Sequence, residues 1–331
     1  MKDSDQASAV SGNESLNSDN AGKPIAKVRV LKLSSIGVSV AIALGGLAIA
    51  TQQAQALSAL GIVNGISSSG GVGVSKDIAY GESKLQNLDI YYPKPLAKAM
   101  QAQNAINDSY PMVVFVHGGS WENGNKEDYA FVGQSFAQAG YVTAVINYRK
   151  APEHVYPDFV QDTAKAIAWS HDNATKFHAD PKRLAVVGHS AGAFNAIAAI
   201  SDEDFLAPYG LRATDIKAVV GIAGPYSYDF RQYGGTSAFA ADATPDEVMP
   251  DRHIKGSQPP YLLLTAENDK TVYDTNTIKM TKALKDYGVT VETGEIKGAS
   301  HATSIGAMAG PFRWVNDVRA QVLTYLDKEL N

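Results

Sequence analysis

Residues 183–199, RLAVVGHSAGAFNAIAA, restrict the possible folds of this chain more than any other stretch. The apolar run 184–187 has the length and composition of a buried strand, and the alanine-rich segment 193–199 favours a helix. The pentapeptide between them, residues 188–192, has glycine at both positions where a side chain would collide with the neighbouring chain in a sharp strand-to-helix turn. Such a turn strains the backbone of Ser190 and exposes its hydroxyl at the end of the strand. An ordinary glycine-rich turn would also fit, so a functional interpretation needs partners for the serine.

The rest of the chain alternates between strand-like and helix-like segments. Two segments near the start, 74–80 and 84–92, predict an antiparallel hairpin. Apolar runs typical of buried strands follow at residues 112–116, 141–147, 217–222, 261–265 and 289–296. Helices are predicted over residues 126–138, 159–177, 275–284 and 311–330. Because strands alternate with helices, the pattern predicts a single α/β domain built on a parallel sheet.

The N-terminal part of the chain differs in composition from the rest. Residues 1–26 are polar and predict a disordered extension. Residues 27–56 combine a basic flank, an apolar run and Ala54-Gln55-Ala56, which is typical of a signal peptide cleaved after Ala56, although a retained membrane anchor also fits. Residues 57–73 are predicted to form a linker, and residues 74–331 to form the α/β domain. Both interpretations of 27–56 predict that this domain is exported, to the periplasm or medium, or held outside the cytoplasm by the anchor.

Charge and cysteine content exclude several classes of function. The formal net charge is −5 at pH 7, which argues against nucleic acid or an anionic membrane surface as a partner. The membrane is then a partner only through the N-terminal segment, if it stays uncleaved. The 331 residues include no cysteine, so disulfides, thiol nucleophiles and thiolate metal sites are excluded. No other grouping has the spacing of a metal site, and no cofactor is expected.

A serine hydroxyl becomes a nucleophile only when a base removes its proton and a third group orients that base. His301 is the candidate base, because it lies in a loop of small residues after the last predicted strand, where ligands bind in an open α/β sheet. Asp269 is the candidate acid, since it lies in a turn after the preceding strand. Glu267 and Asp274 remain alternatives for this role.

The charged oxygen that forms when a serine attacks a carbonyl group needs hydrogen-bond donors. Backbone N–H groups supply them best, and the sequence offers two sources. One is Ala191, directly after the serine, and the other is the loop Gly118-Gly119-Ser120 after the strand at 112–116. Glycines allow the backbone of this loop to approach a substrate closely.

Together these motifs carry a family resemblance. They are the segments 117–121, 147–154, 180–184, 188–192 and 266–272, with His301. Residues 75–331 resemble an α/β-hydrolase of the carboxylesterase group that includes hormone-sensitive-lipase-like and bacterial feruloyl-esterase-like enzymes. The resemblance implies a mostly parallel central sheet with helices on both faces and the chain order Ser190, Asp269, His301 for the triad. The chain departs from the group at Ser120, where many relatives have a third glycine, and in the loop 298–300 before His301.

The sequence therefore predicts a serine carboxylic-ester hydrolase that acts through an acyl-enzyme on a small-molecule ester. An arylformamidase or a serine peptidase would use the same triad, and a binding module without activity is a remote alternative. His117, Trp121, Tyr226 and Tyr228 are predicted to line the substrate pocket. The acyl and alcohol groups and the oligomeric state stay open.

Overall fold

A computed structural model describes residues 63–64, 67, 70–232 and 237–331. Eight strands of the described part form one sheet in the order β1-β2-β4-β3-β5-β6-β7-β8. They are β1 (Gly73–Ala79), β2 (Asn87–Tyr92), β3 (Tyr110–Val116), β4 (Val142–Ile146), β5 (Ala179–His189), β6 (Ala218–Ile222), β7 (Tyr261–Ala266) and β8 (Val291–Ile296). The strand that precedes Ser190, β5, lies near the middle of the sheet between β3 and β6.

The strand directions confirm the predicted sheet. β2 runs antiparallel to both of its neighbours, β1 and β4, which gives the expected hairpin at one edge. The pairs from β4 through β8 are all parallel. Because parallel strands end at the same edge of a sheet, the loops after β3, β5, β7 and β8 lie along one edge.

Helices cover both faces of the sheet, as predicted. Those of the described part are α1 (Lys94–Gln101), α2 (Ala130–Gln138), α3 (Asp158–Asn173), α4 (Ala191–Ser201), α5 (Pro245–Val248), α6 (Thr275–Asp286), α7 (Thr303–Gly306) and α8 (Val318–Leu330). Side chains on β3 alternate between two cores, with Val114 packed in the core that contains α3 and α4, and Phe115 in the core that contains α2 and α8. Every residue of α4 is buried, which fixes the helix that follows Ser190.

The N-terminal predictions lie mostly outside the described residues. This holds for the disordered extension 1–26, for the signal peptide or anchor 27–56 and for most of the linker 57–73. Within the linker, the Asn64 amide donates to the Glu127 carbonyl at 2.7 Å and accepts from the Phe131 N–H at 3.0 Å. In the described part of the chain, every helix is too short or too polar to cross a membrane.

The C-terminal helix begins later than the sequence predicts. It was expected to start at Pro311 but starts at Val318, where the side chain of Asn316 accepts a hydrogen bond from the Val318 N–H at 3.1 Å. Proline is common at a first helical position, but α8 begins only after a turn in which Asn316 accepts from the N–H group two residues further on, and Asp317 is the N-cap. Pro311 lies instead in a short 3₁₀ turn, Gly310–Phe312, and residues 313–317 form a largely exposed loop before α8.

Candidate active site

Ser190 lies at the sharp turn between β5 and α4. Its backbone has φ 54° and ψ −126°, a strained conformation for a residue with a side chain. A Cβ atom at Gly188 would lie 2.4 Å from the Gly192 carbonyl oxygen, and one at Gly192 would lie 2.2 Å from the Val116 oxygen. Both positions therefore require glycine, as the sequence indicated. The Ser190 N–H donates to the Ile222 oxygen at 2.9 Å, which ties the turn to the end of β6.

The structure brings Ser190, His301 and Asp269 together in one chain of hydrogen bonds. The Ser190 Oγ lies 2.8 Å from the His301 Nε2, and the His301 Nδ1 lies 2.7 Å from the Asp269 Oδ2. A carboxylate only accepts hydrogen bonds, so the proton of a neutral His301 ring is on Nδ1. The Nε2 lone pair then faces the serine hydroxyl, which is the arrangement that a general base needs.

Asp269 is held by two further donors besides His301. Its Oδ1 accepts from the N–H groups of Thr271 at 2.8 Å and Val272 at 2.9 Å. Burial alone would raise the pKa of this carboxyl, but the hydrogen bonds and the imidazole charge outweigh that effect and hold the pKa below its usual value. Asp269 is therefore ionised at neutral pH.

The two alternative carboxylates lie elsewhere. Glu267 accepts from the Gly298 N–H at 2.7 Å and lies 3.8 Å from the Lys297 ammonium group. Asp274 stands directly before α6, at its N-cap. Neither contacts His301, so Asp269 is the carboxylate that this geometry assigns to the imidazole.

His189 contributes to the site in a way that sequence reasoning missed. In the structure its Nε2 lies 3.3 Å from the carbonyl oxygen of His301, which also accepts from the Ser304 hydroxyl at 2.6 Å. The residue next to the serine thus holds the loop that carries His301. The only sequence signal for this contact was that His189 lies at the carboxyl end of a predicted parallel strand, where the His301 loop was also expected.

The loop 117–121 lies against the serine. A Cβ at Gly118 would be 2.9 Å from the Ser190 Cβ, so only glycine allows this approach. Gly119 has φ 135°, and Ser120 follows at φ 54°, a conformation that disfavours residues with a side chain. Ala191 is the first residue of α4, so its N–H has no helical partner and points out at the N-terminus. The predicted oxyanion donors thus lie on the two segments that flank Ser190.

A profile of the BD-FAE family matches residues 88–284, more than half of the chain. This match covers β2 to α6 and includes the turn at Ser190 and the Asp269 loop. The chain belongs to the BD-FAE family.

Curated relatives of this BD-FAE protein are named as esterases. Esterase LipC of Mycobacterium tuberculosis is 29% identical over 258 residues, which cover 71% of this chain and 61% of the relative. Esterase LipQ of the same organism is 28% identical, with 70% and 58% covered. The chain thus spans about three fifths of the length of these relatives.

A solved structure establishes the α/β-hydrolase fold. Esterase B from Lactobacillus rhamnosis superposes with a TM-score of 0.68 at 17% identity, over 87% of this chain and 97% of the other. The mostly parallel sheet of eight strands agrees with this fold.

His117 is buried behind the glycine loop of the BD-FAE protein. Its Nδ1 donates to the Gly118 oxygen at 2.8 Å, and its ring stacks on Tyr148 at 4.5 Å between centroids. The Tyr148 hydroxyl in turn donates to the His117 carbonyl at 2.9 Å. The residue supports the loop from inside the core and presents no surface to a substrate.

Two of the other predicted pocket residues are also in the core. Trp121 is 3% exposed, donates from Nε1 to Asn195 Oδ1 at 2.9 Å and packs on Phe194. Tyr226 is fully buried, with its hydroxyl against Gly221. Tyr228 is partly exposed and lines a cavity of 380 Å³. An aromatic residue near a motif can lie either in the core or in the pocket. Contacts with distant residues decide which, and such contacts leave no local pattern in the sequence.

Among the residues that the structure describes, no group of three or more His, Cys, Asp or Glu side chains is placed to hold a metal ion.

The two buried histidines predict a loss of stability in mild acid. Burial, aided by the charge of Lys150 at His117 and of His301 at His189, lowers the pKa of each to about 3. The unfolded chain binds protons below about pH 6.5 where the native state does not, so stability is full above that pH and falls as the pH drops. At pH 5 the expected loss is about 2 kcal/mol for each histidine.

Urea unfolding at pH 7.5 and pH 5 tests this prediction. Carboxylates with lowered pKa lose their contribution only at lower pH, so this window isolates the histidines. The variant His117→Asn is expected to show about half of the pH dependence, whereas His171→Gln, at a partly exposed site, keeps all of it. An unfolding free energy that is equal at the two pH values would contradict the prediction.

Proposed function

We propose that this protein is a serine carboxylic-ester hydrolase that works through an acyl-enzyme intermediate. The observation that carries the proposal is the hydrogen-bonded chain from Ser190 through His301 to Asp269, at 2.8 Å and 2.7 Å. Esterase relatives support the same chemistry. The nucleophile, the base and the orienting carboxylate are then Ser190, His301 and Asp269.

In the first half of the reaction, His301 Nε2 takes the hydroxyl proton as Ser190 Oγ bonds to the carbonyl carbon of the ester. The carbonyl oxygen becomes an oxyanion, which the N–H groups of Ala191 and of the loop 118–120 stabilise; one such donor is worth about 3–4 kcal/mol in other enzymes. When the carbon–oxygen bond breaks, the imidazolium gives its proton to the leaving alcohol, and the acyl group stays on Ser190.

In the second half, water repeats the same steps. His301 removes a proton from the water as its oxygen attacks the acyl carbon, and returns a proton to Ser190 Oγ when the acyl bond breaks. Throughout, Asp269 stays ionised, stabilises the imidazolium and keeps the Nδ1 proton in place. The products are a carboxylic acid and an alcohol.

Labelling with a fluorophosphonate tests the nucleophile. The probe phosphonylates an activated serine with loss of fluoride, so intact-mass spectrometry is expected to show one added phosphonyl group on the native chain. Peptide mapping is expected to place it on Ser190. A chain that stays unlabelled while an active esterase reacts under the same conditions would favour a binding module without activity.

A substrate panel tests the leaving group. We expect p-nitrophenyl esters to be cleaved faster than the matching anilides and faster than N-formylkynurenine. A faster reaction with the anilide would favour a serine peptidase, and one with N-formylkynurenine an arylformamidase. A ladder of acyl chain lengths within the ester set then measures the acyl preference.

We further propose that the catalytic domain is exported. The basic flank, the uncharged run and Ala54-Gln55-Ala56 motivate the proposal. N-terminal sequencing of the protein from its native host is expected to give Leu57 as the first residue. A membrane-bound form that begins before Lys27 would indicate a retained anchor, and a cytoplasmic form with an intact N-terminus would contradict export.

A further inference from the structure

The loop between α7 and α8 carries an exposed tryptophan. Trp314 is 82% exposed, and Val315 beside it is 38% exposed. The ring is nevertheless held in place, because its Nε1 donates to the Pro311 oxygen at 3.1 Å and the Val315 N–H donates to Phe312 at 3.0 Å. A large aromatic face that is both exposed and oriented is a common feature of binding sites.

A cavity of 590 Å³ lies beside this ring, a volume in the range of small-molecule sites. Trp314 lines it together with Lys297, Arg313, Val315, Asn316, Asp317, Arg319 and Ala320. The Asn316 side chain donates to the Thr303 oxygen at 2.9 Å, which connects the wall of the cavity to α7. None of the lining residues belongs to the Ser190 hydrogen-bond chain.

Two guanidinium groups in the cavity, those of Arg313 and Arg319, donate to uncharged side chains. Arg313 donates to the Gln138 side chain, and Arg319 donates from Nε to the Ser135 hydroxyl at 2.9 Å. Among the described residues, no carboxylate lies within 4 Å of either guanidinium group, whereas Lys297 is neutralised by Glu295. Burial and the nearby charge of Arg313 lower the pKa of Arg319, so the two groups act on each other as like charges.

One carboxylate also lines the cavity. Asp317 accepts from the side chain of Gln321 at 2.9 Å. Its single negative charge is smaller than the two positive charges of Arg313 and Arg319, so the wall next to Trp314 keeps a net positive charge. An anion between the guanidinium groups would remove their mutual repulsion and use their free N–H donors.

We propose that this cavity binds a carboxylate carried on a six-membered ring. The planar N–H donors of Arg313 and Arg319 match the two oxygens of a carboxylate, and the face of Trp314 stacks on the ring. A sugar acid and an aromatic acid share this chemistry, and the ring distinguishes both from a simple anion. The site is separate from the proposed ester hydrolysis and does not depend on it.

Isothermal titration calorimetry on the full chain tests the site with galacturonate and benzoate, each paired with a neutral analogue, galactose and benzyl alcohol. At least one acid is expected to bind below about 20 mM, at least tenfold more tightly than its neutral analogue. Which acid binds more tightly identifies the kind of ring. Added salt is expected to weaken binding, because the site is open to solvent.

Two variants remove the proposed contacts separately. Arg313→Gln and Trp314→Ala each change an exposed side chain, so thermal unfolding and ester hydrolysis are expected to stay unchanged while acid binding weakens at least fivefold. Arg212→Gln and Tyr287→Ala are matched exposed controls and are expected to bind like the wild type.

Three results would overturn the proposal. They are binding of neither acid, equal binding of an acid and its neutral analogue, and binding that survives both Arg313→Gln and Trp314→Ala.

Discussion

Alanine at position 190 is expected to lower the turnover of an ester substrate by about 10⁵–10⁶-fold, with a residual rate above that of water. The change removes only the oxygen that lies 2.8 Å from His301 Nε2. Serine and alanine are equally strained at φ 54°, so the unfolding temperature is expected to be unchanged. Steady-state hydrolysis of p-nitrophenyl acetate and a thermal melt measure the two effects.

A matched serine controls for the substitution itself. Ser75 lies on the edge strand β1, with three other strands between it and β5, and Ser75→Ala is expected to keep wild-type turnover. Wild-type-like hydrolysis by a pure, folded Ser190→Ala protein would reject Ser190 as the nucleophile.

Asparagine at position 269 is expected to lower kcat by about 10⁴-fold, as loss of the orienting carboxylate does in serine proteases. The surroundings determine how the amide orients. Its oxygen is expected to face the N–H groups of Thr271 and Val272, which both donate to this side chain. The amide NH₂ group then faces His301 Nδ1 and selects the tautomer with its proton on Nε2. That nitrogen cannot accept the Ser190 proton.

Glu267→Gln is the matched control for Asp269→Asn. Glu267 lies two residues away and binds the Gly298 N–H at 2.7 Å, an interaction that a glutamine oxygen retains. Its kcat is expected to fall less than about tenfold. The reverse ranking of the two variants would make Glu267 the orienting acid and reject the geometry at Asp269.

The main elements of this fold were predictable because their signals are local. The run 184–187, the glycines at 188 and 192 and the alanine-rich segment after them predict a strand, a turn and a helix without any distant contact. The carboxyl ends of parallel strands share one edge, so Asp269 and His301 were expected near Ser190. Which carboxylate contacts His301 could not be decided from the sequence alone, because Glu267 and Asp269 are two residues apart and the turn determines which of them faces the imidazole.

What the sequence could not predict depends on contacts between distant residues. Trp121 binds Asn195, 74 positions away, and this contact places the ring in the core instead of the pocket. His189 reaches the carbonyl of His301 across 112 positions. The start of α8 was missed for a different reason, since Pro311 does begin a helical turn, but it is the short 3₁₀ turn Gly310–Phe312 and not α8.

The hydrogen bonds that hold the His301 loop restrict the insertions and deletions that this loop can accept. Asn268 donates to the Ala299 oxygen at 2.8 Å, and the His301 carbonyl binds Ser304 and His189. β8 is an edge strand, yet the segment from Ala299 to Ser304 is held at both ends, partly by His189 at the end of β5. Insertions and deletions here would displace the imidazole.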